Sequence, residues 1–318
     1  MQDDIRSFLR DNYDLHVQSI QRMSIGVGGD TFRVDAADGK YVFKIVKADD
    51  INRPELEPSL CSVLQDHGVP VSEFIRNVRG DQVSLWDFDR LCHLQRYVDG
   101  SNFAMNTAPE WFMAESPLLL ARIHSVLSSY PPLPEGIGAG FFAHMTPDRA
   151  IGSYQHSLAI ARERGEEDVA ASLLLRIRAA EKIARWSIDS ARLTCRSTHG
   201  DYTVNQILCK DGHIKAVIDW TSACRHPVVW ELTRSYFYAA PECADGGFHE
   251  QRLADYAKAY QSVMHMNEYD QEHLLDVYLY QLAVCDYYSQ YLHAVEHERA
   301  EFRQQADFAT KVLVHALL

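Results

Sequence analysis

Between Ser197 and Ala223 the chain reads STHGDYTVNQILCKDGHIKAVIDWTSA. The stretch holds His199-Gly200-Asp201, then Asn205, then an apolar run Lys215-Ala216-Val217-Ile218 that stops on Asp219. Two carboxylates and an amide, delivered at the ends of short strands, suit one Mg²⁺-nucleotide and one substrate hydroxyl. Mg²⁺ takes hard oxygen ligands and draws only a few of them from protein. Phosphoryl transfer is the chemistry this set favours.

A β-hairpin must deliver these groups, because Asp211-Gly212 is a strong turn signal between Gln206-Ile207-Leu208-Cys209 and Ile214-Lys215-Ala216-Val217-Ile218. A two-residue loop would set Asn205 opposite Ile218 and send Asn205 and Asp219 to different sides of the ribbon. A three-residue loop, Lys210-Asp211-Gly212, would make them diagonal neighbours on one side. Metal sharing therefore predicts the three-residue loop, or strands that end before these two residues.

The HGDxxxxN motif from His199 to Asn205 and the IDW motif from Ile218 to Trp220 resemble those of the aminoglycoside phosphotransferase and choline kinase-like family, whose fold is that of the protein kinases. The resemblance implies that Asp201 is the catalytic base, that Asn205 and Asp219 hold Mg²⁺, and that ATP or another nucleoside triphosphate is the donor. His199 would orient the loop, since a base is already present. The implied fold is α+β and two-lobed: an N-terminal nucleotide-binding lobe (1–98) of antiparallel sheet plus one helix, a hinge near 95–100, and a mostly helical catalytic and substrate-binding lobe (99–318).

Upstream elements fit that frame. Ile5 to Tyr13 has helical spacing, and Met23 to Val34 reads as strand, glycine turn, strand, in which Gly28 and Gly29 let backbone N–H groups approach phosphates; a plain hairpin turn explains the glycines equally well. Lys44 lies inside the apolar strand Tyr41-Val42-Phe43-Lys44-Ile45-Val46, where an ammonium is costly unless an anion meets it. By the resemblance it reaches the nucleotide phosphates and pairs with a helix glutamate. The helix spans 53–67, and alignment on its LxxHGVPV-like end selects Glu57. Pro58 follows directly and belongs in a first turn, so Glu55 stays open as the partner. Two further strands, 82–86 and 91–98, flank Asp87-Phe88-Asp89, and the resemblance puts backbone groups of about Gln95 to Tyr97 on the adenine edge.

Residues 109–127 are helical, with His124 a packed residue rather than a ligand, and 130–140 is a loop rich in proline and glycine. The stretch 150–191 is helical and carries Arg162, Arg164, Arg176, Arg178, Lys182 and Arg185 among acids, the pattern of a solvated face. Glu231 occupies the place of a usual aspartate in the family's dPxxDLA-like element, where it would brace the catalytic loop. The tyrosines of the helices from 249 to 318 read as core packing with a wet hydroxyl.

Composition sets outer bounds. The chain has 318 residues, 47 % apolar and 24 % charged, enough for two lobes that each bury a core. No apolar run approaches the ~18 residues of a membrane span, and the acidic start MQDDIRSFLRDNYD is no secretion signal, so a cytoplasmic protein is expected. Seven cysteines without CxxC spacing read as buried thiols. A net charge of −13 argues against nucleic acid. Residues 199–318 carry 9 basic against 17 acidic residues, a balance of −8. If those acids line the acceptor site, a cationic alcohol fits better than an anionic one; the alternative is a solvated acidic surface. The expected function is ATP- and Mg-dependent phosphorylation of a small-molecule hydroxyl, in the manner of aminoglycoside phosphotransferases. The rival acceptors are homoserine, choline or a sugar, and the rival class is a nucleotide-binding scaffold without turnover.

Overall fold

The computed structural model describes residues 1–23, 29–47, 55–88 and 90–318. Gly28, the expected helix start at Arg53 and Asp89 lie outside the described residues. In chain order the elements are α1 (Gln2–Tyr13), β1 (Val17–Arg22), β2 (Gly29–Ala36), β3 (Gly39–Lys47), α2 (Leu56–Asp66), β4 (Phe74–Ile75), β5 (Ser84–Leu85) and β6 (Arg90–Arg96). There follow α3 (Glu110–Leu127), α4 (Ala139–His144), α5 (Pro147–Glu163), α6 (Glu167–Ile183), β7 (Cys195–Thr198), β8 (Ile207–Lys210), β9 (His213–Val217) and β10 (Cys224–Pro227). The chain closes with α7 (Val228–Ala239), α8 (Glu250–Gln261), α9 (Glu268–Glu272), α10 (Asp276–Val284), α11 (Tyr287–His293) and α12 (Glu296–Leu317). Contacts divide it into two compact units, one of residues 1–102 with 205–223, the other of 103–204 with 224–318.

The first unit is built on an antiparallel sheet ordered β1-β2-β3-β6-β4, with β5 also pairing β6. Its strands alternate with period two, so Phe32, Val34 and Ala36 on β2 and Tyr41, Phe43 and Ile45 on β3 bury one face against Ile5, Leu9 and Tyr13 of α1. Lys44, between Phe43 and Ile45, must therefore leave from the opposite face. The hairpin of β8 and β9 belongs to this unit by direct ties. Ser101 and Cys209 exchange backbone hydrogen bonds of 3.0 and 2.8 Å, and Val217 N–H donates to the Pro70 carbonyl at 2.9 Å. A Cβ on Gly100 would meet the Cys209 carbonyl oxygen at 3.0 Å, so glycine permits that approach.

The second unit is mostly helical, with one two-stranded ribbon of β7 and β10. The α+β expectation of an antiparallel sheet plus helix followed by a helical region thus holds. The helical stretch expected over 150–191 is two helices, broken where Gly165 takes φ 71° and lets the chain reverse. Its solvated-face reading fails at Arg176, which is 0 % exposed. The guanidinium donates to the carbonyls of Leu282 and Cys285 and to the Tyr154 hydroxyl, and stacks over the Tyr154 ring. Charge pattern along one helix could not reveal partners on a distant one.

The tyrosines of 249–318 are core residues as expected, but their hydroxyls are mostly met by protein rather than water. Tyr256 bonds Ser116 and Ser235, Tyr260 bonds His124, and Tyr288 donates to Asp307. Of the seven thiols, all free, Cys195, Cys224 and Cys285 are only partly buried.

Arg176→Ala removes those donors and opens a cavity, so denaturant unfolding should show a loss of about 3–5 kcal/mol. A loss under about 1 kcal/mol would mean that α5, α6 and α10 hold together without it.

Candidate active site

The hairpin corrects the predicted three-residue loop. Asp211 and Gly212, at φ 53° and 75°, form a two-residue turn with Lys210 opposite His213. A one-residue bulge at Lys215 then shifts the register, setting Ile207 opposite Val217. Ile218 N–H donates to the Gln206 carbonyl at 2.9 Å, which continues the pairing. The strands end before Asn205 and Asp219, as the alternative reading required, and the two residues leave the ribbon at the same end. The bulge does what a longer loop would have done.

Asp219 sits at φ 61°, ψ 68°, a left-handed conformation that costs a non-glycine residue about 1 kcal/mol and is held only when its surroundings demand it. Those surroundings are specific. Asp219 Oδ1 accepts from Lys44 Nζ at 3.0 Å and from Thr221 Oγ1 at 2.8 Å. The next residue, Trp220, donates its N–H to Glu57 Oε1 at 3.0 Å. Glu57 stands in the first turn of α2, where Pro58 is tolerated, and is 5 % exposed, whereas Glu55 is an exposed N-cap. Burial disfavours the Glu57 carboxylate, yet the Lys44 ammonium outweighs it and, with His93 Nε2 at 3.5 Å, holds the group below its usual pKa. The lysine, only 14 % exposed, thus works between two acids.

Asn205 lies in a single 3₁₀ turn with its side chain exposed, and its carbonyl accepts from Asn102 Nδ2 at 2.9 Å. One carboxylate and one amide oxygen match a Mg²⁺ ion that completes its shell with phosphate and water. Among the described residues no group of three His, Cys, Asp or Glu side chains could hold a metal alone. Gly29 opens β2 opposite Val46. At the end of β6 the N–H groups of Arg96 and Tyr97 already donate to Glu73 and Lys40, and Gln95 is buried with its amide 3.5 Å from His93 Nδ1.

In the second unit β7 delivers the HGD turn, and Gly200 takes φ 81°, a conformation only glycine adopts freely. The buried Glu231 of α7 holds the turn on both sides of Asp201: Oε1 accepts from Gly200 N–H at 2.8 Å and Tyr202 N–H at 3.2 Å, while Oε2 accepts from the Thr198 hydroxyl. The glutamate braces the loop as expected despite its extra methylene. Burial alone would raise its pKa, but contacts with His124 and His226 and the Thr198 hydrogen bond keep it well below the carboxylate range. His124 is a packed residue, bonded to Tyr260 and Thr198 at 2.7 Å each. His199, fully buried, accepts from Asp201 N–H through Nδ1 at 3.2 Å, an orienting contact.

Sequence reasoning missed Arg234. Its Nη1 lies 2.5 Å from Asp201 Oδ1. The available signal was spacing, since Arg234 follows Glu231 by three residues on one helix and so shares its face.

Two depressed pKa values predict acid sensitivity. Burial drops His226 to about 4, so the folded state resists its protonation; that stability is complete above the unfolded value near 6.5 and is lost as pH falls toward 4. The Glu231 contribution, present above its unfolded value, is lost only at lower pH as its depressed folded value is crossed. Unfolding free energy should be flat above pH 7 and fall by roughly 1–3 kcal/mol between pH 6.5 and 4.5. His226→Gln should abolish most of that decline, and an unchanged slope would assign it to other groups.

The sequence model of the phosphotransferase enzyme family (APH) matches residues 19–266. No curated protein matches in sequence. Among solved structures, the chain is similar to spectinomycin phosphotransferase APH(9)-Ia in complex with ADP and spectinomycin, with TM-score 0.67, 14 % identity, and coverage of 99 % of this chain and 98 % of that one. It is similar also to the amicoumacin kinase hAmiN in complex with AMP-PNP, Ca²⁺ and amicoumacin (TM-score 0.66, 12 % identity, 99 % and 94 % covered). A third is a microcompartment-associated aminopropanol kinase (TM-score 0.61, 12 % identity, 98 % and 95 % covered). At these identities the likeness is one of fold, whereas the family match spans most of the chain. This chain belongs to the phosphotransferase enzyme family.

Proposed function

We propose that this phosphotransferase moves the γ-phosphoryl group of ATP, as its Mg²⁺ complex, onto a hydroxyl of a small molecule. The observation that carries the reading is Lys44 paired with Asp219 at 3.0 Å, with Glu57 holding the adjacent Trp220 N–H. A cation fixed between two acids at a strained aspartate is a phosphate and metal site prepared before the ligands arrive. Nucleotides in the similar structures, AMP-PNP and ADP, support ATP as donor. Asn205 and Asp219 would hold the Mg²⁺, which neutralises phosphate charge when bound. Lys44 would meet the α/β-phosphates. Near the adenine, groups around Gln95–Tyr97 would serve, with carbonyls and the following residue favoured because the Arg96 and Tyr97 N–H groups are engaged.

Asp201, fixed by the braced turn, would orient the acceptor hydroxyl and accept its proton as the new O–P bond forms and the bond to the ADP oxygen breaks. ATP supply and the free thiols would place this activity in the cytoplasm. The acids behind the expected cationic acceptor are engaged elsewhere. Asp270 caps α9 and accepts from Thr194 N–H, Asp286 caps α11, Asp276 contacts His273, and Asp245 pairs with Lys311. A cationic acceptor is left with only the overall charge in its favour.

ADP release should be measured over a panel of hydroxyl compounds that includes aminoglycosides, amino alcohols, sugars, homoserine and hydroxy acids. Asp201→Asn should lower turnover roughly a hundredfold or more while Mg-ATP binding persists. No ADP above the Asp201→Asn background from any acceptor would favour the scaffold reading. Asp219→Ala should change the Mg²⁺ dependence, and an identical Mg²⁺ titration would move the metal elsewhere.

A further inference from the structure

Arg234 leaves α7 three residues after Glu231 and approaches Asp201 through Nη1 at 2.5 Å. Its guanidinium is set among aromatic rings, with Cζ 4.7 Å from the Tyr238 centroid and 5.5 Å from that of Trp230. Nη1 is buried yet makes no hydrogen bond among the described residues, so the contact with Asp201 is an ion pair without hydrogen-bond alignment. The side chain as a whole keeps 17 % exposure, which leaves a route for a ligand to reach it. A second polar atom here is also unmet. Tyr278, 1 % exposed, has a buried hydroxyl with no hydrogen-bond partner among the described residues, and it lies within the electrostatic reach of Arg234. The neighbouring Tyr287 hydroxyl, by contrast, already accepts from Gln281.

Buried donors left without acceptors are costly and rare in folded chains, so a pair of them beside a functional carboxylate calls for a ligand oxygen. A guanidinium presents five N–H donors in a planar fork, enough to keep Asp201 and still grip a carboxylate. A cationic acceptor would meet the like charge of Arg234.

We infer that Arg234 and the Tyr278 hydroxyl form an oxyanion subsite beside Asp201, and that the acceptor is an alcohol bearing a carboxylate or similar oxyanion on the same molecule. The inference rests on the proposed phosphotransfer only for the word acceptor. The subsite can be read without turnover.

The test uses the full chain saturated with Mg-AMP-PNP. Glycolate, its neutral isostere glycolamide, and choline are titrated at matched ionic strength, followed by calorimetry and by the arginine Nε–H NMR signals. Saturable glycolate binding is expected, at least tenfold tighter than glycolamide or choline. Arg234→Gln should weaken it tenfold or more and Tyr278→Phe by a smaller factor, with Mg-AMP-PNP affinity unchanged within about twofold. Arg234→Lys should restore part of the loss, which a purely structural role would not require. The Tyr278→Phe protein, with its ring in place, keeps the test valid if Arg234→Gln fails to fold. Choline binding in preference to glycolate, glycolate binding indifferent to both substitutions, or a best acceptor that carries no oxyanion would each overturn the subsite. Retained glycolate binding with no ADP release from any acceptor would overturn the phosphotransfer reading instead and leave the subsite standing.

Discussion

One buried carboxylate fixes the geometry on which the acceptor chemistry depends. Glu231 is closed off from water, and an ionised group in that position is tolerated only because backbone N–H groups and a hydroxyl converge on it. Those same N–H groups belong to the residues before and after Asp201. The cost of burying the charge and the rigidity of the HGD turn are therefore one interaction seen from two ends. Gly200 supplies the left-handed corner that lets both N–H groups face the same oxygen.

The nucleotide side follows a similar rule with the signs exchanged. There the buried charge is a lysine, and Asp219 and Glu57 balance it. Glu57 reaches past the lysine to the Trp220 backbone, so the glutamate that tunes the cation also pins the end of the hairpin. The strained backbone of Asp219 is maintained by these contacts in concert, since Lys44, Thr221 and the Trp220 N–H each hold a different atom of the same short turn.

Arg234 gives the second unit a cation of its own next to Asp201. Placing it on the helix that carries Glu231 couples the bracing of the loop to the charge facing the acceptor, because one helix position sets both. The acids elsewhere in residues 199–318 serve helix caps and surface pairs, so net charge described the region's solubility better than its recognition.

The sequence by itself determined the elements and the chemistry-bearing residues. Period-two alternation in residues 29–47 defines a half-buried sheet, Asp211-Gly212 defines a tight turn, and the HGDxxxxN and IDW spacing marks the site, because these are local properties of the backbone and of side-chain volume. Family resemblance selected Glu57, and the inward turn of that residue, with Glu55 left exposed, came from α2 beginning at Leu56. Other features needed the tertiary structure. The bulge at Lys215 that aligns Asn205 with Asp219 depends on how the hairpin pairs and on its ties to Ser101 and Pro70, which no local pattern encodes. Arg176 and Arg234 read as ordinary basic helix residues until the partners that bury them, roughly thirty to a hundred residues away in sequence, come into contact. A charge is solvated or buried according to what the rest of the chain folds around it, and that is decided by long-range contacts that a one-dimensional pattern does not contain.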